Sequence, residues 1–426
     1  GQEAPAAPIN QAPELAPAKP GTRGGAPSLA VLPFTNRSGL PEDEVFAFGM
    51  VEDLIDALSQ GVNVRVISSS STARFRNGAL PDVGAMGREL GVRYLLEGNV
   101  RRSGSDLRVT AQLVEAASGE IVWTQKFDRP LAELAALQED LIGEVAAHLD
   151  AKVYRMEMER ALKKPGDHTA WECTMRAFAA LRQLNGETVR RAIEEAAHAV
   201  AIAPDYGLAH ALLADASAIA YMFLSFDNPA EVARIRRHID YALALDAESA
   251  AVLGHVASAL NYTGQAAEGL RRARRAIAIS PGYGLAHQIA GIASEMLGKP
   301  EAALAHLADF RRIEPHSPYQ HYAFAWQADC YLQLGDWAAA EDAFESSLAL
   351  NPDANYAYCQ KAIVVRHFGR VDEARQLMIE ARRRDPSATL ALWELRMTRW
   401  HARSPALDEM LTHLRALWAE TEGIAP

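Results

Sequence analysis

The chain has little of what marks several common protein classes. Only three of its 426 residues are cysteines, Cys173, Cys330 and Cys359. They lie far apart and match no metal-ligand spacing, so they predict neither a disulfide framework nor a zinc site. No apolar run approaches the ~20 residues that span a bilayer. A net charge of -11 argues against direct binding to nucleic acid.

Motifs for catalysis and cofactor binding are missing as well. The sequence has no Gly-x-x-x-x-Gly-Lys-Ser/Thr phosphate loop, no His-Glu-x-x-His pair and no Gly-x-Ser-x-Gly nucleophile turn. These absences predict a protein that is not an enzyme, uses no cofactor and holds no metal.

The N-terminal segment differs sharply in composition from the rest. Residues 1–27 hold six prolines and seven alanines but no aromatic residue, which predicts a disordered, semi-rigid linker. Because a linker joins two bodies, we expect an output domain or a membrane anchor upstream. An anchor would place the chain on the periplasmic side of a membrane, which is slightly favoured, whereas a cytoplasmic output domain would place it in the cytosol.

Residues 28–130 have the pattern of a small mixed α/β domain. Ser28–Phe34 and the alternating valines at 62–66 predict two strands, each followed by an amphipathic helix that begins at Pro41 or Pro81. Three alternating strands follow within residues 92–127, separated by glycine-containing turns. A bridging helix is then expected over residues 131–165.

From residue 166 to the end the only period is helical, and prolines recur on a fixed spacing. Pro204, Pro281, Pro315, Pro352 and Pro386 each close a helical stretch, and with Ala247 as a degenerate member the intervals are 43, 34, 34, 37 and 34 residues. A 34-residue period is the signature of tetratricopeptide (TPR) helix hairpins. The sequence therefore predicts about six stacked hairpins in an all-α solenoid.

Small residues recur with the same 34-residue spacing, which we call the repeat grid. Glycines stand at 264, 298, 335 and 369, seventeen residues before a repeat proline, and alanines stand at 303, 340 and 374, twelve residues before one. We expect each glycine to end the first helix of a hairpin in a left-handed turn, and each alanine to let the two helices approach closely.

These motifs together resemble a known bacterial pairing, a TolB-like (FlgO-like) domain followed by TPR repeats. The residues that carry the resemblance include Ser28–Phe34, Glu52–Ser59, Gly87–Gly98 and Val109–Leu113. The resemblance implies an α+β fold and the regulatory or sensory half of a larger protein. In such proteins the other half is commonly a winged-helix DNA-binding domain or a class III adenylate cyclase, and neither is present in this sequence.

The inner, concave face of the solenoid is the predicted binding site. The 34-residue grid places a mixture of aromatic and hydrogen-bonding side chains there, which suits capture of a peptide or another protein domain. The expected face is open, and its candidate partner-binding residues are Asn261, Tyr262, Gln288, Glu295, Tyr322, Asp329, Gln333, Tyr356, Arg366 and His367.

Two functions are compatible with these features. The first is a non-enzymatic module that binds a protein or peptide partner, or a second copy of itself, and controls an upstream output domain. The alternative is a small-molecule or nucleotide sensor with a pocket between the α/β domain and the first repeats. Two further clusters have a structural and a functional interpretation. The serines at 68–71 predict local hydrogen bonds within a loop, with binding of an anion as the alternative. The arginines at 271–275 predict a solvated helix face, with binding of an acidic partner as the alternative.

Overall fold

A computed structural model of the chain describes residues 27–61, 65–75, 82–130, 142, 153, 155–163, 168–181, 186–224, 228–315, 317–386 and 388–422. The linker predicted for residues 1–27 lies outside the described residues except for Pro27. Most of the bridging helix predicted for 131–165 also lies outside them, although residues 155–163 are helical and are labelled α4 below. The predicted domain boundaries stay predictions.

The N-terminal part forms one mixed sheet with helices on both faces. Its elements are β1 (Ser28–Val31), β2 (Thr35–Asn36), α1 (Pro41–Gly61), β3 (Arg65–Ile67), α2 (Ser69–Thr72), α3 (Val83–Leu90), β4 (Tyr94–Ser103), β5 (Asp106–Glu115) and β6 (Ile121–Pro130). The strand order is β3-β1-β4-β5-β6, with β2 added beside β4. β1 runs parallel to β3 and β4, whereas β4, β5 and β6 are antiparallel neighbours.

Alternation along the strands explains the two layers of core. Leu29 and Val31 of β1 point to the α1 side, where they pack with Leu54, while Ala30 points to the α3 side and packs with Met86. Of the second predicted strand, Arg65–Ile67 is observed as β3, and Val62 and Val64 lie outside the described residues. The serines after it form the short helix α2, and Ser68 and Ser70 hydroxyls lie 2.9 Å apart, which fits the interpretation of local bonding.

The rest of the described chain is helical. The helices are α5 (Ala170–Leu181), α6 (Gly186–Ile202), α7 (Gly207–Leu224), α8 (Pro229–Leu245), α9 (Ala250–Tyr262), α10 (Ala266–Ile279), α11 (Gly284–Met296), α12 (Pro300–Ile313), α13 (Gln320–Gln333), α14 (Trp337–Leu350), α15 (Asn355–His367), α16 (Val371–Arg384), α17 (Leu390–Trp400) and α18 (Pro405–Glu420). None of the described helices is long and apolar enough to cross a membrane. The prediction of an α+β fold with a helical solenoid is confirmed.

The repeat grid predicted from sequence corresponds to the observed hairpins. All four grid glycines have positive φ, between 67° and 83°, and each lies just after an inner helix. Their turns are closed by backbone bonds such as Asp336 N to Tyr331 O at 2.9 Å. The grid alanines are fully buried. Left-handed glycine turns and close helix contacts therefore set the period of the repeat.

Overpacking at a grid alanine should destabilise the repeats. Ala340 has no exposed surface, so Ala340→Leu is expected to lower the free energy of unfolding by roughly 1–3 kcal/mol. Ala338 lies on the exposed side of the same helix, and Ala338→Leu serves as the matched control with little expected effect. Urea unfolding of both variants checks this, and equal stabilities would show that the hairpin register is wrong.

Contacts divide the chain into two units, each with its own core. The first contains the described residues up to Ala216, with Ala233–His255 and Ala278–Gly282; the second contains Ser217–Val232, Val256–Ile277 and the residues from Tyr283 onward. The second unit therefore holds α11 to α18 and all ten predicted partner-binding residues.

Candidate binding groove

The inner face of the second unit is covered by the chain's own helix α17. We define the groove as the side of this unit formed by α9, α11, α13 and α15. Trp393 of α17 stacks near Tyr356 of α15, with ring centroids 6.3 Å apart. At the other end of α17, Arg399 donates a 3.2 Å hydrogen bond to the Tyr221 hydroxyl on α7. The structure thus corrects the expectation of an open inner face in this unit.

Trp400 and His401, at the C-terminal end of α17, are both inserted into the groove. Trp400 lies between Trp326, with centroids 6.3 Å apart, and Tyr356, whose ring meets it edge-on at 5.1 Å. Nδ1 of His401 donates to Oε1 of Glu295 at 3.0 Å. Both residues are buried. An aromatic anchor and an adjacent basic group therefore insert into the groove together.

A network of buried polar groups receives this pair, and we call it the inner polar cluster. Its members are Glu295, Asp329, Gln333, Tyr356, Gln360 and His401. Gln333 donates to the Glu295 carboxylate and also to its backbone carbonyl, the latter at 3.1 Å. Tyr356 donates to Asp329 and accepts from Gln360 at 3.0 Å. The Gln360 amide lies 3.2 Å from Nε2 of His401.

The cluster contains more acid than base. Glu295 and Asp329 are both 0% exposed, and one oxygen of each has no hydrogen-bond partner. Burial raises the pKa of Asp329 to about 7 and also raises the pKa of Glu295. Burial alone would lower the pKa of His401, but the two carboxylates outweigh it and raise that pKa to about 9. The two acids and the imidazole therefore hold protons more tightly than in the unfolded chain, and the imidazole is kept in its charged form beside the carboxylates.

These shifts predict that the second unit loses stability as the pH rises. A group whose pKa is raised in the folded state binds its proton more tightly there than in the unfolded chain. The contribution of Asp329 is accordingly lost between about pH 4 and 7, and that of His401 between about pH 6.5 and 9. Urea unfolding at pH 6 and pH 9 should show the decrease.

A neutral variant isolates the cluster from the other titrating groups. Glu295→Gln, Asp329→Asn and His401→Gln combined remove every carboxylate and imidazole of the inner polar cluster. We expect the difference in unfolding free energy between pH 6 and pH 9 to become smaller in this variant than in the unaltered chain. An unchanged difference would mean that the cluster does not carry the pH dependence.

The ten residues predicted from the repeat grid have three different surroundings. Glu295, Asp329, Gln333 and Tyr356 come together in the inner polar cluster. Arg366 and His367 pair instead with α18, through Glu420 at 2.7 Å and Glu409 at 2.7 Å. Their partner-binding role stays a prediction.

The remaining four are buried or half-buried within the repeats. Asn261 donates to the Ile289 carbonyl at 3.2 Å and so joins α9 to α11, and Gln288 is buried. Tyr262 and Tyr322 pack against the apolar cluster around Trp326, and burial raises the pKa of Tyr322 to about 12. For these four as well, a role in partner binding stays a prediction.

The residues that the grid missed are those of the covering segment, above all Trp393, Trp400 and His401. The sequence held one indication of this segment. Three of the seven tryptophans fall after Pro386, where the proline spacing stops. In the basic cluster on α10, Arg272 pairs with Glu268 on the same helix at 2.7 Å, and binding of an acidic partner there stays a prediction.

Another buried carboxylate lies where the alternative function placed a pocket. In the first unit, Glu157 of α4 accepts from the Tyr94 hydroxyl at 3.0 Å and from the Trp171 indole at 3.4 Å, and it pairs with Arg93. These donors come from β4 and from the first repeat helix, so protein groups already satisfy this acid. The small-molecule sensor stays a prediction.

The fold is a mixed α/β domain followed by a TPR-type helical repeat. Residues 25–144 match the second domain of HilA/YgeH-like transcriptional regulators, and residues 321–354 match a tetratricopeptide repeat. The match at the N-terminus is thus to a HilA-like regulator domain, and the TolB-like assignment is not confirmed.

Known proteins similar to the chain include a curated relative and two solved structures. The chain is 35% identical over 202 residues to "Putative adenylate cyclase 3" of Rhizobium meliloti strain 1021, covering 47% of this chain and 34% of the relative. It therefore spans about a third of the length of that relative. A thermophilic TPR protein of Thermus thermophilus is 20% identical with a TM-score of 0.34, covering 40% of this chain and 91% of that one. Pseudomonas aeruginosa PilF is 18% identical with a TM-score of 0.37, covering 53% and 97%.

Proposed function

We propose that this chain is a non-enzymatic regulatory module whose groove binds a helical segment of a protein partner in place of α17. The observation that carries the proposal is the insertion of Trp400 and His401 between the inner helices. A groove that holds a helix of its own chain has the depth, the aromatic walls and the polar cluster that helix recognition uses. In this proposal α17 keeps the groove closed until a partner displaces it.

The chemistry of the groove restricts the partner. Trp326 and Tyr356 form a place for one aromatic side chain, and a cation beside it stabilises the charged form of the buried Glu295 and Asp329. We therefore expect a partner helix that carries an aromatic residue directly next to His, Lys or Arg. An acidic or purely aliphatic helix would leave both carboxylates without compensation.

The proposal includes control of an output domain. The similarity of residues 25–144 to a transcriptional-regulator domain, and of part of the chain to a protein named as an adenylate cyclase, supports a regulatory role. We propose that opening of the groove alters the activity of a transcription factor or nucleotide cyclase linked to this module. The TolB-like identity of the α/β domain and periplasmic placement belong to the same proposal.

A labelled peptide of residues 389–402 tests the groove directly. In the unaltered chain a tethered α17 has an effective concentration in the millimolar range, so micromolar peptide should bind poorly. The full-length Trp400→Ala, His401→Ala variant loses both anchors of its own segment. We expect it to bind the peptide at least about tenfold more tightly than the unaltered chain does, measured by fluorescence anisotropy, because each lost anchor removes more than about 1.4 kcal/mol.

Two controls accompany this measurement. Trp418→Ala removes a tryptophan from α18 and leaves the anchors in place, so it should resemble the unaltered chain. A peptide in which the Trp and His are both replaced by alanine should not bind the opened variant. A folded double variant, shown by circular dichroism, that fails to bind the original peptide would overturn the proposal.

A direct assay tests the non-enzymatic part. We expect no cyclic AMP from ATP and magnesium in the presence of the purified chain, since the phosphate-binding and catalytic motifs sought in the sequence are missing. Product formation above the rate of a heat-denatured sample would overturn this part of the proposal without affecting the peptide result.

A further inference from the structure

Two histidines and a glutamate converge where α15 ends beside α18. Nδ1 of His367 lies 2.7 Å from Oε1 of Glu409, and Nε2 of His413 lies 3.5 Å from the same oxygen. One potential ligand atom from each of the three residues lies within 4.8 Å of the other two. This group belongs to neither the inner polar cluster nor the contacts of α17.

Local structure holds the three side chains in position. Glu409 and His413 are four residues apart on α18 and therefore share one face of that helix. The His367 ring stacks on Trp337, with centroids 3.9 Å apart and planes 5° apart. His413 meets the His367 ring edge-on at 6.1 Å. Ring packing thus fixes the orientation of both imidazoles.

The helix that supplies two of the three groups is itself well anchored. Leu414 and Leu417 of α18 have no exposed surface. Arg366 forms a two-pronged pair with Glu420, at 2.7 and 2.9 Å.

The donor set of two imidazoles and one carboxylate suits a metal ion of intermediate softness. Imidazole nitrogen and carboxylate oxygen bind Zn²⁺ at about 2.0–2.2 Å, and imidazole also suits Cu²⁺ and Ni²⁺. Ligand atoms around one tetrahedral ion of this size lie about 3.4 Å apart, which falls within the range of the present separations. Glu409 is 44% exposed, His367 29% and His413 22%, so an ion can reach them from solvent.

We propose that His367, Glu409 and His413 bind a divalent transition-metal ion of the Zn²⁺ type, with water completing its coordination. Such an ion would join α15 to α18. Because α18 directly follows α17 in the chain, the bound ion would also restrain the segment that covers the groove. Metal occupancy would then favour the closed groove.

Titration of the full-length chain, free of any histidine tag, with Zn²⁺ alone tests the site. Calorimetry should show that His413→Ala loses one equivalent of bound Zn²⁺. Glu409→Gln should bind that equivalent more than about tenfold more weakly, because even residues that only hydrogen-bond to a metal ligand change metal affinity 10–100-fold. Cobalt substitution gives a second readout, because Co²⁺ bound by imidazole has visible d–d bands that the variants should lose. His198→Ala removes an exposed histidine on α6 and should change neither result.

The second metal-like grouping does not obscure this test. His287, His306 and Asp309 also place potential ligand atoms within 4.8 Å of one another, and any Zn²⁺ that they bind remains in His413→Ala. The proposal would be overturned if His413→Ala and the unaltered chain bound the same number of ions with the same affinity.

Hydrogen exchange tests the restraint on the groove. Saturating Zn²⁺ should slow exchange of the amides of α17 and α18 in the unaltered chain and leave His413→Ala unchanged. Circular dichroism establishes that both proteins are folded. Equal exchange with and without Zn²⁺ in a chain that has bound the ion would overturn the coupling to groove closure.

Discussion

Glu295→Ala is expected to lower the free energy of unfolding of the second unit by about 3–5 kcal/mol, the range found when one partner of a buried ion pair is removed. Glu295 is 0% exposed and accepts from His401 and Gln333. Its removal leaves the imidazole and the Gln333 amide buried without their acceptor, and it also leaves a cavity. Urea unfolding followed by tryptophan fluorescence measures the loss.

An exposed glutamate elsewhere in the second unit gives the control. Glu345 of α14 pairs with Lys361 at 2.8 Å, as Glu295 pairs with His401, but its side chain is 56% exposed. Exposed pairs contribute about 0–1 kcal/mol, so Glu345→Ala should have a small effect. If the two variants lost similar stability, the inner polar cluster would not be an energetically important part of the fold.

The repeat architecture could be predicted from sequence because each of its signals is local. A glycine such as Gly335 adopts positive φ through its own backbone, and an alanine such as Ala340 is buried by the other helix of its own hairpin. The same residue types recur at equivalent positions of successive hairpins, so several hairpins support one prediction. The α/β domain was predictable for a similar reason, since alternation and turn residues act over fewer than ten positions.

The cover over the groove could not be predicted in this way. His401 and Glu295 are 106 residues apart, and no periodicity connects them. The grid correctly placed Glu295, Asp329 and Tyr356 together on the inner helices, but a polar inner face has the same pattern whether solvent or another helix lies against it. Only the path of the chain after Pro386 decides between the two, and that path leaves the repeat.

The burial of the inner polar cluster follows from the path of the chain after Pro386. Side chains that would be solvated in an open groove become costly when α17 covers them, unless each finds a hydrogen-bond or charge partner. His401 supplies the missing charge and Tyr356 a donor to Asp329. Under the proposed function, the same residues face water when the groove is open and α17 when it is closed.

Trp400→Ala is expected to release α17 from the groove. The Trp400 side chain is buried against Trp326 and Tyr356, and replacement of a buried Trp by Ala typically costs about 3–5 kcal/mol. Since the proposed function has the segment open without unfolding the hairpins, the loss should appear as local opening. Amide exchange in α17 should accelerate by about two to three orders of magnitude, since each 1.4 kcal/mol is tenfold.

Comparison with Trp418→Ala separates this effect from a general loss of packing. Trp418 is half-buried on α18, and the Arg382 guanidinium lies 4.8 Å from its ring, so its removal should leave α17 protected. Trp400→Phe keeps an aromatic ring between Trp326 and Tyr356 and should retain most of the protection. If amide exchange in α17 accelerated equally in Trp418→Ala and Trp400→Ala, Trp400 would not be the anchor of α17. A specific anchor must protect α17 more than a tryptophan on α18 does.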